Sequence, residues 1–277
     1  GLRVIVHKDT STPLACLNIM YDVGSRDEDP DRTGFAHLFE HLMFGGSANI
    51  PSYDAPLQMA SGSNNAFTST DITNYYITLP AENLETAFWL ESDRMLNLAF
   101  TDKSLEVQRN VVIEEFRQRY LNQPYGDAWL LMRPLAFKEH PYNWATIGKE
   151  EKHIEEATMA DVRAFFNTHY KPKNAVMVVA GNVEVVAIKE LSEKWFAPII
   201  KGEKPKRNLK PEPKQTEPRR LQVTRPVPLD AIYISFHMCG KTDDDYPAWD
   251  LLSDILGRGD SSRLYQKLVK EKRLFTA

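Results

Sequence analysis

Two histidines and a glutamate stand close together in one short segment, in the order His37-x-x-Glu40-His41. At about 3.6 residues per turn, their side chains fall within about 100° on one face of a helix. Every other position from Phe35 to Phe44 is apolar or alanine, so this helix is expected to be buried. Buried imidazoles and a buried carboxylate cost free energy unless a partner binds them. A metal ion is the partner that suits this set.

The chemistry predicted from this segment is zinc-assisted hydrolysis of an amide. Neutral imidazoles bind Zn²⁺, and a catalytic zinc site keeps three protein ligands so that water can take the fourth position. We therefore predict that His37 and His41 bind Zn²⁺ and that Glu40 is the general base for the water. The alternative is a pair of ordinary core histidines. With 7 His and 38 acidic residues in the chain, this spacing should arise by chance roughly 0.02 times.

The third ligand is expected from the helical segment 105–117, which contains the adjacent acids Glu114 and Glu115. At helical spacing Glu115 neighbours two valines, Val111 and Val112, whereas Glu114 neighbours only the first of them. Glu115 therefore lies nearer the apolar face, and we predict it as the metal ligand, with Glu114 as the alternative. Without the histidine pair, both acids would be read as a solvated charge pair on an exposed face.

The elements that must position these residues mix strands and helices. Strands are predicted at 2–7, 14–23 and 174–181 and a hairpin at 64–79, from their β-branched and apolar residues. Thr33 is the expected N-cap of the first helix. This mixture predicts an α+β fold, with a largely antiparallel sheet and helices packed on one face. The predicted helices span 33–44, 54–61, 81–98, 102–121, 159–169 and 184–196.

The chain is predicted to contain a catalytic domain at 1–200 and the start of a second domain at 219–277. Residues 201–218 are charged and rich in proline, which indicates a linker. Pro228 to Gly240 resembles Pro13 to Gly24, so the second domain should repeat the strand, turn and helix of the first. The positions that match the zinc motif there carry no ionisable side chain. Only about 60 residues of this degenerate copy are present, so we expect a truncated chain.

Composition excludes several other classes of protein. The net charge is −4 and the basic residues are dispersed, which argues against a nucleic-acid partner. No run of about 18 apolar residues is present that could cross a bilayer, so no membrane span is predicted. The two cysteines, Cys16 and Cys239, are far apart, which excludes a thiolate zinc finger.

At these residues the sequence resembles the M16 metallopeptidases, the pitrilysin and mitochondrial-processing-peptidase group, whose reversed zinc motif is the inverzincin signature. Glu115 matches the family's third ligand, the second glutamate of its Glu-Glu pair. The resemblance runs along the whole chain. Besides the zinc motif it includes Asn65 to Tyr76, Asn110 to Glu115, His140-Pro141-Tyr142, Ile147-Gly148, Tyr170-Lys171-Pro172 and Ala180-Gly181-Asn182.

The resemblance implies the M16 metallopeptidase fold, similar to that of mitochondrial processing peptidase and LuxS. It implies a zinc-dependent endopeptidase that hydrolyses unstructured peptides or presequence-like segments, in which two similar domains form half of a closed chamber. Peptide substrates in extended conformation would pair with an edge strand, which makes Asn65 and Ala66 the expected substrate-binding residues.

The resemblance also implies a partner. The family's substrate-gripping half carries an arginine and a tyrosine, and the matching positions here are Val269 and Thr276. A second M16-type subunit or a C-terminal half is therefore expected to supply that grip. The alternative function is a catalytically silent M16-fold subunit that is structural or only binds peptides. The presence of all the predicted ligands argues against it.

Overall fold

A five-stranded sheet forms the framework of the first part of the chain. The computed structural model describes residues 1–276. The strand order is β1-β5-β2-β4-β3, so β1 and β3 are the edge strands. β1 pairs with β5 in parallel, and the other three pairs are antiparallel. The strands are β1 (Arg3–Lys8), β2 (Leu14–Tyr21), β3 (Ser63–Thr68), β4 (Thr73–Pro80) and β5 (Ala175–Gly181).

The helices complete the α+β fold that the sequence predicts, and this prediction is confirmed. The sequence did not predict two of the helices, Ala128–Ala136 and Glu151–Glu155. None of the helices within residues 1–276 combines the length and the hydrophobicity that a bilayer crossing requires. The helices are α1 (Phe35–Leu42), α2 (Asp54–Met59), α3 (Leu84–Asn97), α4 (Asp102–Phe116), α5 (Ala128–Ala136), α6 (Glu151–Glu155), α7 (Met159–His169), α8 (Val185–Phe196) and α9 (Tyr246–Gly257).

The sheet has a buried face because its central strands alternate. On β2, Leu17, Ile19 and Tyr21 are completely buried, whereas the residues between them are partly exposed. Successive side chains of a strand point to opposite faces, so this pattern places one face of the sheet against the helices. α3 packs against β2 and β4, and α1 packs against β3 and β4. The zinc-motif helix is therefore held at the β3 edge of the sheet.

The segment 201–231 contains no helix or strand, yet it is bound along its course to the first part of the chain. The Arg207 guanidinium pairs with the Asp27 carboxylate, Nε to Oδ1, at 2.5 Å. The Glu212 carboxylate accepts hydrogen bonds from the backbone N–H groups of residues 138–140. Arg207 and Glu212, two charged residues of the predicted linker, thus have specific partners in the first part of the chain.

The chain separates into two compact units, Gly1–Ala231 and Ile232–Ala277. The predicted boundaries at 200 and 219 stay predictions. In the second unit the helix of the internal repeat is present as α9, but the strand expected before Gly240 forms no ladder within the described residues. A strand is stabilised by hydrogen bonds to a neighbouring strand. The described part of this unit contains no second strand that could supply them.

Candidate metal centre

The buried face of α1 fixes the direction of its polar face. The Phe39 ring stacks on Phe165 at a centroid distance of 5.0 Å and on Tyr170 at 5.2 Å. Phe39 and Leu38 are completely buried. Because these contacts lock one side of the helix into the core, the side that carries the zinc motif faces outward, towards α4 and β3.

The N-terminus of α1 is capped from a distance. Gly34 stands at the cap position with φ +92°, in the left-handed region that favours glycine. The Glu28 carboxylate accepts hydrogen bonds from the backbone N–H groups of Gly34 at 2.9 Å and Ala36 at 2.8 Å. The Trp144 indole also donates to it at 3.0 Å. Burial raises the pKa of Glu28 to about 8, although these three donors act against that rise.

Thr33 is not the N-cap that the sequence predicts. Its hydroxyl lies 2.8 Å from His153 Nδ1 and accepts a hydrogen bond from the backbone N–H of Lys149, also at 2.8 Å. The hydroxyl is therefore engaged by a distant segment, and the first-turn N–H groups are left to Glu28.

Three side-chain atoms converge between α1 and α4. Glu115 Oε2 lies 3.6 Å from His37 Nε2 and 3.3 Å from His41 Nε2. Ligand atoms bound tetrahedrally to zinc at ordinary bond lengths are separated by about 3.3 Å. Within residues 1–276, this set is the one group of three or more side chains that could hold a metal ion. The donors and their spacing thus fit a zinc ion.

The alternative ligand faces elsewhere. The Glu114 side chain is 59% exposed and pairs with Arg117 at 2.9 Å, whereas the Glu115 side chain is 17% exposed. The structure therefore brings Glu115, rather than Glu114, together with the two histidines. Glu115 is also the residue that lies nearer the apolar face of the helix predicted from the sequence.

The protonation states of His37 and Glu115 suit a metal. Burial lowers the pKa of His37 to about 4, so its imidazole is neutral at neutral pH. The hydrogen bond from His41 lowers the pKa of Glu115, and the charge of the Arg119 guanidinium acts in the same direction. Neutral imidazole and ionised carboxylate are the forms that bind metal ions. His37 Nδ1 is buried and has no hydrogen-bond partner within the described residues.

Glu40 lies beside this set and contacts the edge strand. Burial raises its pKa, and the hydrogen bond from Thr68 lowers it. The Thr68 hydroxyl donates to Glu40 Oε2 at 2.6 Å. This bond engages one oxygen of the carboxylate and leaves Oε1 as a proton acceptor.

The predicted substrate-binding residues lie on the edge strand β3 and not within the metal site. Asn65 is exposed, and its Oδ1 accepts a hydrogen bond from the backbone N–H of Ala66 at 2.8 Å. This N–H is therefore turned away from β4, towards the free edge of the sheet. Thr68, at the end of the same strand, contacts Glu40.

Three residues that act on the site were given no role by the sequence analysis. Thr68 donates to Glu40, Arg119 pairs with Glu115 at 2.8 Å, and Glu28 caps α1. Helical spacing of four residues is a signal for the arginine. The other two contacts join segments that only the fold brings together, so no local pattern indicates them.

Two family models match the chain over most of its length. Residues 3–133 match the model described as Insulinase (Peptidase family M16), and residues 156–277 match the Peptidase M16 inactive domain. A solved structure of a protease from Helicobacter pylori superposes with a TM-score of 0.89 at 32% identity, covering 100% of this chain and 68% of that one. The chain belongs to peptidase family M16. The family prediction from the zinc motif is thus confirmed.

Other relatives of this M16 chain have informative names. The chain is 34% identical to "Zinc protease PqqE" of Helicobacter pylori, over 99% of its own length and 63% of that protein. The first half of the periplasmic protease PqqL from Escherichia coli shares the fold, with a TM-score of 0.69 at 22% identity over 78% of this chain and 48% of that one. The M16 chain thus spans about 63% of the length of its curated Helicobacter relative.

Proposed function

We propose that this chain carries the catalytic part of a zinc-dependent endopeptidase that hydrolyses unstructured peptides or presequence-like segments. The observation that carries the proposal is the convergence of His37 Nε2, His41 Nε2 and Glu115 Oε2 beside Glu40. The name of the Helicobacter relative, a zinc protease, supports the same metal and reaction class.

The residues of the chain have distinct roles in the proposed hydrolysis. Zinc, when bound, supplies Lewis-acid activation of the attacking water and of the scissile carbonyl. Oε1 of Glu40 accepts a proton from that water, since Thr68 engages the other oxygen. Burial raises the pKa of Glu40, so the carboxyl can hold this proton and pass it to the leaving nitrogen.

An extended peptide substrate is proposed to pair with the free edge of β3. Main-chain hydrogen bonds of the Asn65–Ala66 segment would hold it, as in other cases of strand addition. The Asn65 side chain accepts the hydrogen bond of the Ala66 N–H, so it must rotate away when the peptide binds. Because β3 also carries Thr68, the bound peptide would lie next to the general base.

The proposal of a partner rests on two residues near the end of the given sequence. Val269 and Thr276 stand where the resemblance places an arginine and a tyrosine in the substrate-gripping half. We therefore assign that grip to a second M16-type subunit or to a C-terminal half. The solved neighbour described as the first half of PqqL supports a two-part architecture.

Activity of the full-length protein containing this chain, together with any partner subunit, tests the proposal. Cleavage of unstructured peptides is followed by mass spectrometry for the wild type and for Glu40→Gln, and zinc content is measured in both. The expected result is full zinc occupancy in both proteins, loss of cleavage in the variant, and loss of wild-type cleavage on chelation.

The alternative, a silent structural or peptide-binding subunit, makes a different prediction. It requires equal rates for wild type and Glu40→Gln at background level. That outcome, with zinc bound, would contradict the proposed reaction.

A further inference from the structure

Arg119 lies on a π-helical turn that begins two residues after Glu115, the third proposed metal ligand. α4 ends at Phe116 and continues as a π-helical turn, Arg117–Leu121, in which the backbone N–H of Asn122 donates to the carbonyl of Arg117 at 2.8 Å. Such π turns occur often at functional sites. The Tyr120 ring packs on Phe116 at 5.6 Å and against the core, which anchors the turn.

The two oxygens of Glu115 have different partners. Oε2 faces His37 Nε2 and His41 Nε2 at 3.6 and 3.3 Å. Oε1 lies 2.8 Å from Nη1 of Arg119. The guanidinium therefore occupies the oxygen that the metal set does not use.

We propose that Arg119 is a positioning residue that keeps Glu115 a one-oxygen ligand; this inference rests on the proposed zinc site. A free carboxylate can present both oxygens to a metal ion and so take two coordination positions. A hydrolytic zinc site needs one position open for water. By holding Oε1, Arg119 fixes the rotation of the carboxylate and preserves that open position.

The exposure of Arg119 separates an effect on the metal from an effect on folding. The Arg119 side chain is 68% exposed, and exposed pairs contribute little to folding stability. Exposure also lets solvent screen the repulsion between the guanidinium and a metal cation. Removal of Arg119 should therefore leave the fold intact and act on the metal through the lost ion pair with Glu115.

The same turn offers a matched control. Arg117 is also cationic and partly exposed, but its guanidinium pairs with Glu114 at 2.9 Å and with Glu151 at 2.6 Å. Arg117→Ala removes the same charge two residues away without touching Glu115. A general effect of charge, or of the end of α4, would appear in both variants.

The test measures metal binding by the full-length protein. Zinc dissociation constants are obtained by competition with a chromophoric chelator for wild type, Arg119→Ala, Arg119→Lys and Arg117→Ala. The visible spectrum of the cobalt-substituted proteins reports coordination number, because four-coordinate Co²⁺ absorbs more strongly than five-coordinate Co²⁺. Thermal unfolding of the metal-free proteins checks the fold.

The expected result is an about 10- to 100-fold loss of zinc affinity in Arg119→Ala, with weaker cobalt absorption, as for other partners of metal ligands. Arg119→Lys keeps a donor and should lose less, and Arg117→Ala should stay within about twofold of wild type. Wild-type affinity and spectrum in Arg119→Ala, or an equal loss in both alanine variants, would overturn this inference and leave the proposed peptidase intact. A wild-type protein that binds no zinc would overturn both.

Discussion

The hydrogen bond from Thr68 to the proposed general base can be tested by removing one hydroxyl group. Thr68→Val keeps the shape of the side chain and deletes the donor that lies 2.6 Å from Glu40 Oε2. A hydrogen bond to a charged group contributes about 1.5–3 kcal/mol, and partial exposure of both residues favours the lower end. A loss of about 1–2 kcal/mol corresponds to an about 5- to 30-fold lower kcat/KM at neutral pH.

The direction of the pH effect follows from the same bond. The Thr68 hydroxyl stabilises the ionised carboxylate and lowers the pKa of Glu40, against the effect of burial. Its removal lets that pKa rise, so the base becomes ionised only at higher pH. The acid limb of the kcat/KM profile should therefore move to higher pH, and part of the lost activity should return as the pH increases.

The assay is a pH profile of peptide cleavage by the full-length protein. Thr68→Ser restores the hydroxyl and should recover most of the activity. Thr78→Val is the matched control, because it makes the same change at a half-buried position of the neighbouring strand β4. Zinc affinity should be unchanged in all three variants. An acid limb of Thr68→Val that coincides with that of the wild type would refute this reasoning.

Two further predictions concern the stability of the first unit. Phe39→Ala removes a completely buried ring that holds α1 in the core. Urea titrations should show a free energy of unfolding that is lower by about 3–5 kcal/mol. A loss of less than about 1 kcal/mol would contradict the packing described for α1. The unfolded chain protonates His37 near pH 6.5 and the folded metal-free protein near pH 4, so stability should fall by up to about 3 kcal/mol as the pH is lowered through this window. His37→Asn should flatten that slope; equal slopes in the two proteins would contradict the burial of His37.

The sequence predicts most of the first unit because its signals are local. The zinc motif needs only helical periodicity to place His37 and His41 on one face, and the choice of Glu115 over Glu114 follows from the apolar positions one turn away. Long alternating and periodic segments likewise predict the strands and the longer helices. Helices α5 and α6 were not predicted: α5 contains Pro134, a residue type that disfavours a helix interior, and α6 has only five residues.

Long-range partners explain the predictions that were wrong. Thr33 has the residue type of an N-cap, but Lys149 engages its hydroxyl from a distant segment, and Glu28 binds the helix terminus instead. Pro228 to Gly240 has the residues of a strand, but no strand pairs with it in the described part of its unit. In both cases the local preference is real, and the outcome depends on which other groups come within hydrogen-bonding distance.

The sequence by itself determined the chemical identity of the site: two imidazoles, one adjacent carboxylate and one more carboxylate from a second helix. These follow from residue type and helical spacing, which are properties of short segments. Only the tertiary structure decided which oxygen each carboxylate has available, because Thr68 engages Glu40 and Arg119 engages Glu115. The packing of α1 between α4 and β3 also sets the distances among the donors. Those distances depend on contacts between segments far apart in the chain, which no local pattern encodes.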